Sequence, residues 1–189
     1  MVKRALVAVA LFAASVHAEV RPAFSTASGV ALISLPASFL QQAAIRKQLE
    51  TGLTTVITII ARQRGTTNAG GARFEIRYDL WDEVWLVKKI EFDGRTDQQR
   101  IATFDALLKW WHNPARIFAS SDARVSLNVE LRVLPFSSAE EQDAREWISK
   151  SGGVATPSAG GSFVQMLIAT TITARPIVMV KWNVDLQLR

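Results

Sequence analysis

Cysteine is absent from all 189 residues. That removes disulfides, thiol nucleophiles, thiolate metal sites and a lipid-modified N-terminal cysteine. Histidine is nearly absent, with only His17 and His112 present. A Ser-His-Asp or Cys-His device would have to use one of them. A zinc site, which needs three or four N, S or O ligands, would rest on carboxylates almost alone. Neither glycine pair, Gly70-Gly71 or Gly160-Gly161, has the G-x-x-x-x-G-K-S/T form of a phosphate loop. Basic residues outnumber acidic ones by 22 to 17, but they are scattered, so the charge does not point to nucleic acid.

The start of the chain carries the clearest signal. Lys3 and Arg4 are followed by an apolar run from Ala5 to Val16, broken only by Ser15, and Val16-His17-Ala18 closes it with small residues. A basic start, an apolar middle and a small-residue exit predict a secretory signal peptide over residues 1–18, cleaved after Ala18. The run of about a dozen residues falls short of the roughly 20 that a transmembrane helix needs. The product is expected to be exported, periplasmic in a cell with two membranes and otherwise secreted. Cleavage takes His17 away and lowers the formal net charge from +5 to +3, because Lys3 and Arg4 leave. Residues 19–189 are long enough to bury a single core without staples, so one globular domain is expected.

Hydrophobic periodicity sets the expected elements. Val30 to Leu35 reads as a short strand ending at Pro36, and Ala37 to Thr51 as a helix with Phe39, Leu40, Ala43 and Ala44 on one stripe. Gly52 stands where a helix C-terminus favours positive φ. Leu53 to Arg62 is rich in Thr, Val and Ile, apolar on both faces, and suits a central strand. Phe74, Ile76, Tyr78 and Leu80 alternate with charged residues. Val84, Leu86, Ile90 and Phe92 read as the returning phase, with Trp81-Asp82-Glu83 as the turn of an antiparallel hairpin. Thr96 and Gln99 have capping-box spacing, which predicts a helix from there to Trp111, stopped by Asn113-Pro114. Arg116 to Ala119 reads as a short strand. Val125 to Val133 and Val178 to Leu188 are further one-sided strands. Ser138 and Glu141 form a second capping box for a helix to about Lys150. Ser151 to Ser162 is a Gly-rich loop, and Phe163 to Thr171 fits helix or strand. The expected class is α+β: a largely antiparallel sheet, open or a sandwich, with three to four helices on one face or end.

No catalytic residue and no metal or cofactor site stands out. His112 follows Trp110-Trp111 at a helix end, where a histidine commonly answers the dipole or a free carbonyl. Asp79, Asp82 and Glu83 crowd the hairpin turn, with Asp93 at its other end, and turns favour Asp in any case. They match no EF-hand spacing. Six tryptophans are present. Trp111, Trp147 and Trp182 lie in phase with apolar neighbours, whereas Trp81, Trp85 and Trp110 lie out of phase or at turns. Partial burial at a sheet–helix junction explains the latter three. The alternative is an aromatic surface that stacks on a sugar, enters a lipid interface or anchors a partner.

Three passages, Leu49-Glu50-Thr51-Gly52-Leu53, Tyr78-Asp79-Leu80-Trp81 and Val129-Glu130-Leu131-Arg132-Val133-Leu134-Pro135, give the chain a resemblance. Over about residues 29–136 it resembles an uncharacterised family of exported, β-rich proteobacterial proteins with no assigned activity. The resemblance implies an envelope location and carries over no catalytic residue. The Gly-rich loop and residues 163–189 depart from that pattern.

The leading expectation is therefore a non-enzymatic binding or accessory protein of the cell envelope. Its binding residues would be Trp81, Trp85, Trp110, Asp82 and Glu83, and its partner another envelope protein, a glycan or a lipid. Two alternatives stand beside it. One is a metal-independent hydrolase acting on an envelope glycan, with Asp79, Asp82 or Glu83 as acid or base. The other is a structural subunit that pairs through its C-terminal strand.

Overall fold

A computed structural model of the chain describes residues 21–135 and 176–188. The expected leader 1–18, the expected helix from Ser138, Trp147, the expected loop 151–162 and the Phe163–Thr171 stretch lie outside the described residues. More than half of the described residues are in strands. They form two antiparallel sheets. A three-stranded sheet joins β1 (Ala23–Ala27), β2 (Val30–Ser34) and β7 (Ala115–Ala119). A six-stranded sheet comprises β3 (Thr55–Gln63), β4 (Ala69–Asp79), β5 (Val84–Glu91), β6 (Thr96–Ile101), β8 (Arg124–Leu134) and β9 (Val178–Gln187). Its order is β6-β5-β4-β3-β8-β9. The expectation of an α+β fold with three to four helices is thereby corrected. The described part is mainly β, with two α-helices, α1 (Ala43–Leu49) and α2 (Phe104–His112), and one 3-10 turn at Ala37–Phe39.

Two helix expectations fail for local reasons. The single helix foreseen over Ala37–Thr51 breaks at Gln42, whose ψ of 133° is extended. The break lets Phe39 and Leu40 on one side, and Ile45 and Leu49 on the other, reach the same core. Ala43, Ala44 and Lys47 face water instead. The supposed capping box at Thr96 belongs to β6. Gly94, at φ 82°, turns the chain straight back beside β5, and Glu91 N–H donates to Arg95 O to lock the reversal. Strand pairing then outweighs the local capping preference. The cap of α2 is Thr103, whose hydroxyl accepts from Ala106 N–H at 3.2 Å.

The two sheets share one core in sandwich-like fashion. Ala31, Ile33, Ala115, Ile117 and Phe118 from the small sheet meet Ile57, Ile59, Phe74, Ile76, Val129 and Leu131 from the large one. At one crossing the backbones come very close. A Cβ on Gly70 of β4 would lie 2.3 Å from the Ile117 carbonyl oxygen of β7. The register of β2 against β7 slips at the same place, pairing Ala31 with Phe118 but Leu32 with Arg116. This bulge turns both Ile117 and Phe118 inward. The helices close the core beyond the small sheet. Trp111 of α2 stacks on Phe39 at 5.6 Å, and its indole N–H donates to Pro36 O. β3 is buried on both faces from Thr55 to Ala61, as its sequence suggested for a central strand.

Candidate functional site

The hairpin β4–β5 is real, but its turn is one residue longer than the sequence suggested. Asp79 pairs with Val84, so Leu80, Trp81, Asp82 and Glu83 form a four-residue loop. The side-chain period in a strand is two, so one extra loop residue exchanges the faces of the returning strand. Trp85, Val87, Lys89 and Glu91 face the core, and Val84, Leu86 and Ile90 take the other side. Lys89 and Glu91 are tolerated inward because each finds polar partners beside β7. Lys89 Nζ donates to Pro114 O at 3.3 Å, and Glu91 Oε1 accepts Arg116 N–H at 3.1 Å.

The structure separates the three tryptophans expected on a binding surface. Trp85 is 5% exposed and packs between Tyr78, at 4.7 Å between ring centroids, and Phe104, at 5.7 Å. Trp110 is 4% exposed, stands edge-on to Phe74 and donates its indole N–H to Asp97 at 3.0 Å. Neither lies on an open aromatic surface. Trp81 is the reverse, 96% exposed at the loop apex.

That loop is held firmly. Asp79 Oδ1 accepts from the backbone N–H groups of Trp81, at 3.0 Å, and Asp82, at 3.2 Å. These two hydrogen bonds stabilise its ionised form and, together with Arg77 and Arg100, hold its carboxyl below the usual carboxylate range. Glu83 completes the reversal in the left-handed region, at φ 52°. Asp82 is tied to Arg100 of β6 at 2.7 Å. Each of these two carboxylates is thus occupied, one by backbone N–H groups and the other by a guanidinium. A general acid needs a raised pKa, and that of Asp79 moves the opposite way. His112 Nδ1 lies 3.2 Å from Leu35 O at the end of α2. Among the described residues no three His, Asp or Glu side chains gather as a metal site. No helix among them is long and apolar enough to cross a membrane.

Sequence reasoning missed the company Trp81 keeps. Leu80 is 61% exposed and Leu53 is 43% exposed. Leu80 packs its side chain against Gly52, whose Cβ would lie 3.0 Å from Leu80 Cδ1, so the α1–β3 loop and the hairpin tip share one end of the sheet. Alternation placed Leu80 inside because it reads as the next in-phase residue after Tyr78. The extra loop residue is what carries it into solvent. On the helix side of the same end lies a cleft of about 400 Å³, lined by Arg46, Glu50, Tyr78, Trp85, Ala102 and Phe104.

No family model matches the chain, and neither a curated protein nor a solved structure matches it significantly. The class defined by fold and site is thus a sandwich-like antiparallel β protein with an exposed aromatic tip on a braced hairpin.

Proposed function

We propose that this chain is an exported, non-enzymatic binding protein of the cell envelope that docks another envelope protein through the tip of its β4–β5 hairpin. The observation that carries this reading is Trp81. A tryptophan 96% exposed at the apex of a turn fixed by Asp79 and Arg100 offers a large anchor with little ordering still to be lost on binding. Leu53 and Leu80 extend the apolar surface at that end. The charge of the tip favours a protein over a membrane. Asp79, Asp82 and Glu83 flank Trp81, and with Arg77 and Arg100 beside them the tip stays net acidic. A segment that enters an anionic bilayer carries Lys and Arg around its aromatic residues. The complementary partner presents an apolar pocket with a basic rim. The leader of residues 1–18 supports the envelope location.

The test compares the chain from Glu19 with its Trp81→Ala variant in affinity capture from an envelope fraction, followed by mass spectrometry. The expected result is a partner retained by the parent and lost by the variant at unchanged melting temperature. Equal capture by both, or none above background, would overturn the reading.

A further inference from the structure

The cleft beside the tip has a chemistry of its own. Tyr78, Trp85 and Phe104 are among its lining residues, and Trp85 touches each of the other two rings. Its rim is a single ion pair. Arg46 donates from Nε to Glu50 Oε1 across one turn of α1. The same guanidinium sits over Phe104, with Cζ 3.8 Å from the ring centroid. Two contacts therefore hold Arg46 in place before any ligand arrives. Both side chains remain partly exposed, at 41% and 50%.

Three properties follow. The rim carries one positive and one negative charge, so the cleft is electrically balanced and favours a neutral ligand. Arginine only donates hydrogen bonds and an ionised glutamate only accepts them. Among the described residues the Nη groups of Arg46 and Oε2 of Glu50 make no hydrogen bond, so they are left to a ligand. A group that both accepts from Arg46 and donates to Glu50 suits that pair, and adjacent hydroxyls do so. Trp85 is 5% exposed and Arg46 covers one face of Phe104, so half-buried Tyr78 is the ring left to accept the C–H face of a saturated ring. The volume falls within the range of ordinary small-ligand sites, about 300–1,000 Å³.

We propose that the cleft between α1, the start of α2 and the tip end of hairpin β4–β5 is a binding site for a neutral pyranose sugar, with Arg46 and Glu50 holding adjacent hydroxyls and Tyr78 packing against the ring. The site is distinct from the Trp81 anchor. Tyr78 points to the helix side of the sheet, and Trp81, three residues on, stands in solvent at the apex.

The test is an NMR titration of the chain from Glu19 with cellobiose, maltose and N,N′-diacetylchitobiose in turn, read at the Trp85 indole N–H. At least one disaccharide is expected to shift that resonance saturably at millimolar concentrations. The Arg46→Ala and Glu50→Ala variants, both at partly exposed positions, are expected to weaken binding about tenfold each. Trp81→Ala is expected to bind the sugar as the parent does, which separates this site from partner docking. The proposal is overturned if none of the three sugars shifts Trp85 saturably, or if the double variant at Arg46 and Glu50 binds unchanged. It is equally overturned if 4-hydroxybenzoate, an anionic planar probe, occupies the cleft and the sugars do not.

Discussion

Single residues decide how closely this molecule packs, and Gly70 shows it where the two sheets cross. The Cβ that any other residue would bring lies 2.3 Å from the Ile117 carbonyl oxygen, and backbone atoms give way less easily than a flexible side chain. Gly70→Ala is therefore expected to destabilise the fold by about 3 kcal/mol, at the upper end for overpacking. Chemical denaturation checks this, and a loss within about 0.5 kcal/mol, the range of a neutral surface substitution, would contradict the close approach. No local pattern announces it: the Gly, Thr and Asn of residues 64–71 read as a loop, whereas Gly70 belongs to β4 and its neighbour comes from β7, more than forty positions away in the chain. Trp110 teaches the same lesson from the other side. It lies outside the expected helical stripe, yet Phe74 and Asp97 give its ring and its N–H partners that no local pattern announces.

The hairpin shows how much an element depends on one position. The alternation of β4 was plain in Phe74, Ile76 and Tyr78, and the antiparallel pairing with Val84 onward follows from it. The faces of β5 depend on turn length: a three-residue turn puts Val84, Leu86 and Ile90 inward, and the four residues used put Trp85 and Val87 there. Lys89 and Glu91 favour the shorter turn on sequence grounds, since charged residues ordinarily mark the solvent side. The brace of the turn has its own consequence. Asp79 titrates below 3.8, the value of a free aspartate, because it accepts two backbone N–H groups. A carboxylate whose folded pKa is depressed stabilises the fold above its unfolded pKa and gives that stability up as pH falls through the folded value. Hairpin order is therefore expected to hold at neutral pH and to weaken only below about pH 3.8. Carboxyl-detected NMR titration reads this directly, and an Asp79 midpoint at or above the free value would contradict the two hydrogen bonds. The helices were less legible. Thr96 and Gln99 carry capping-box chemistry, but a turn at Gly94 commits them to an edge strand.

At the scale of the whole molecule, what could be read was what period two encodes. The strands β2, β3, β4, β8 and β9, and the antiparallel character, were legible because β2, β3, β4 and β8 bury one or both faces and β9 alternates half-buried with exposed residues. The division into two sheets was not, because it depends on which edges meet. Gly29 N–H bonding Leu188 O and Leu188 N–H bonding Ala123 O join residues far apart in the chain. The candidate site was legible only at Trp81. Its neighbours Leu53 and Leu80, and the cleft residues Arg46, Glu50 and Phe104, come together through the meeting of α1, α2 and the tip end of the hairpin.

The most direct test of tip docking is fluorine NMR of the chain carrying 5-fluorotryptophan, with the Trp81 signal assigned by its loss in Trp81→Phe. In the free protein that signal should show a full solvent isotope shift while Trp85 and Trp110 show almost none. On addition of envelope extract, the Trp81 signal should broaden or move. Broadening of other tryptophans while Trp81 stays sharp and unmoved would contradict docking through the hairpin tip.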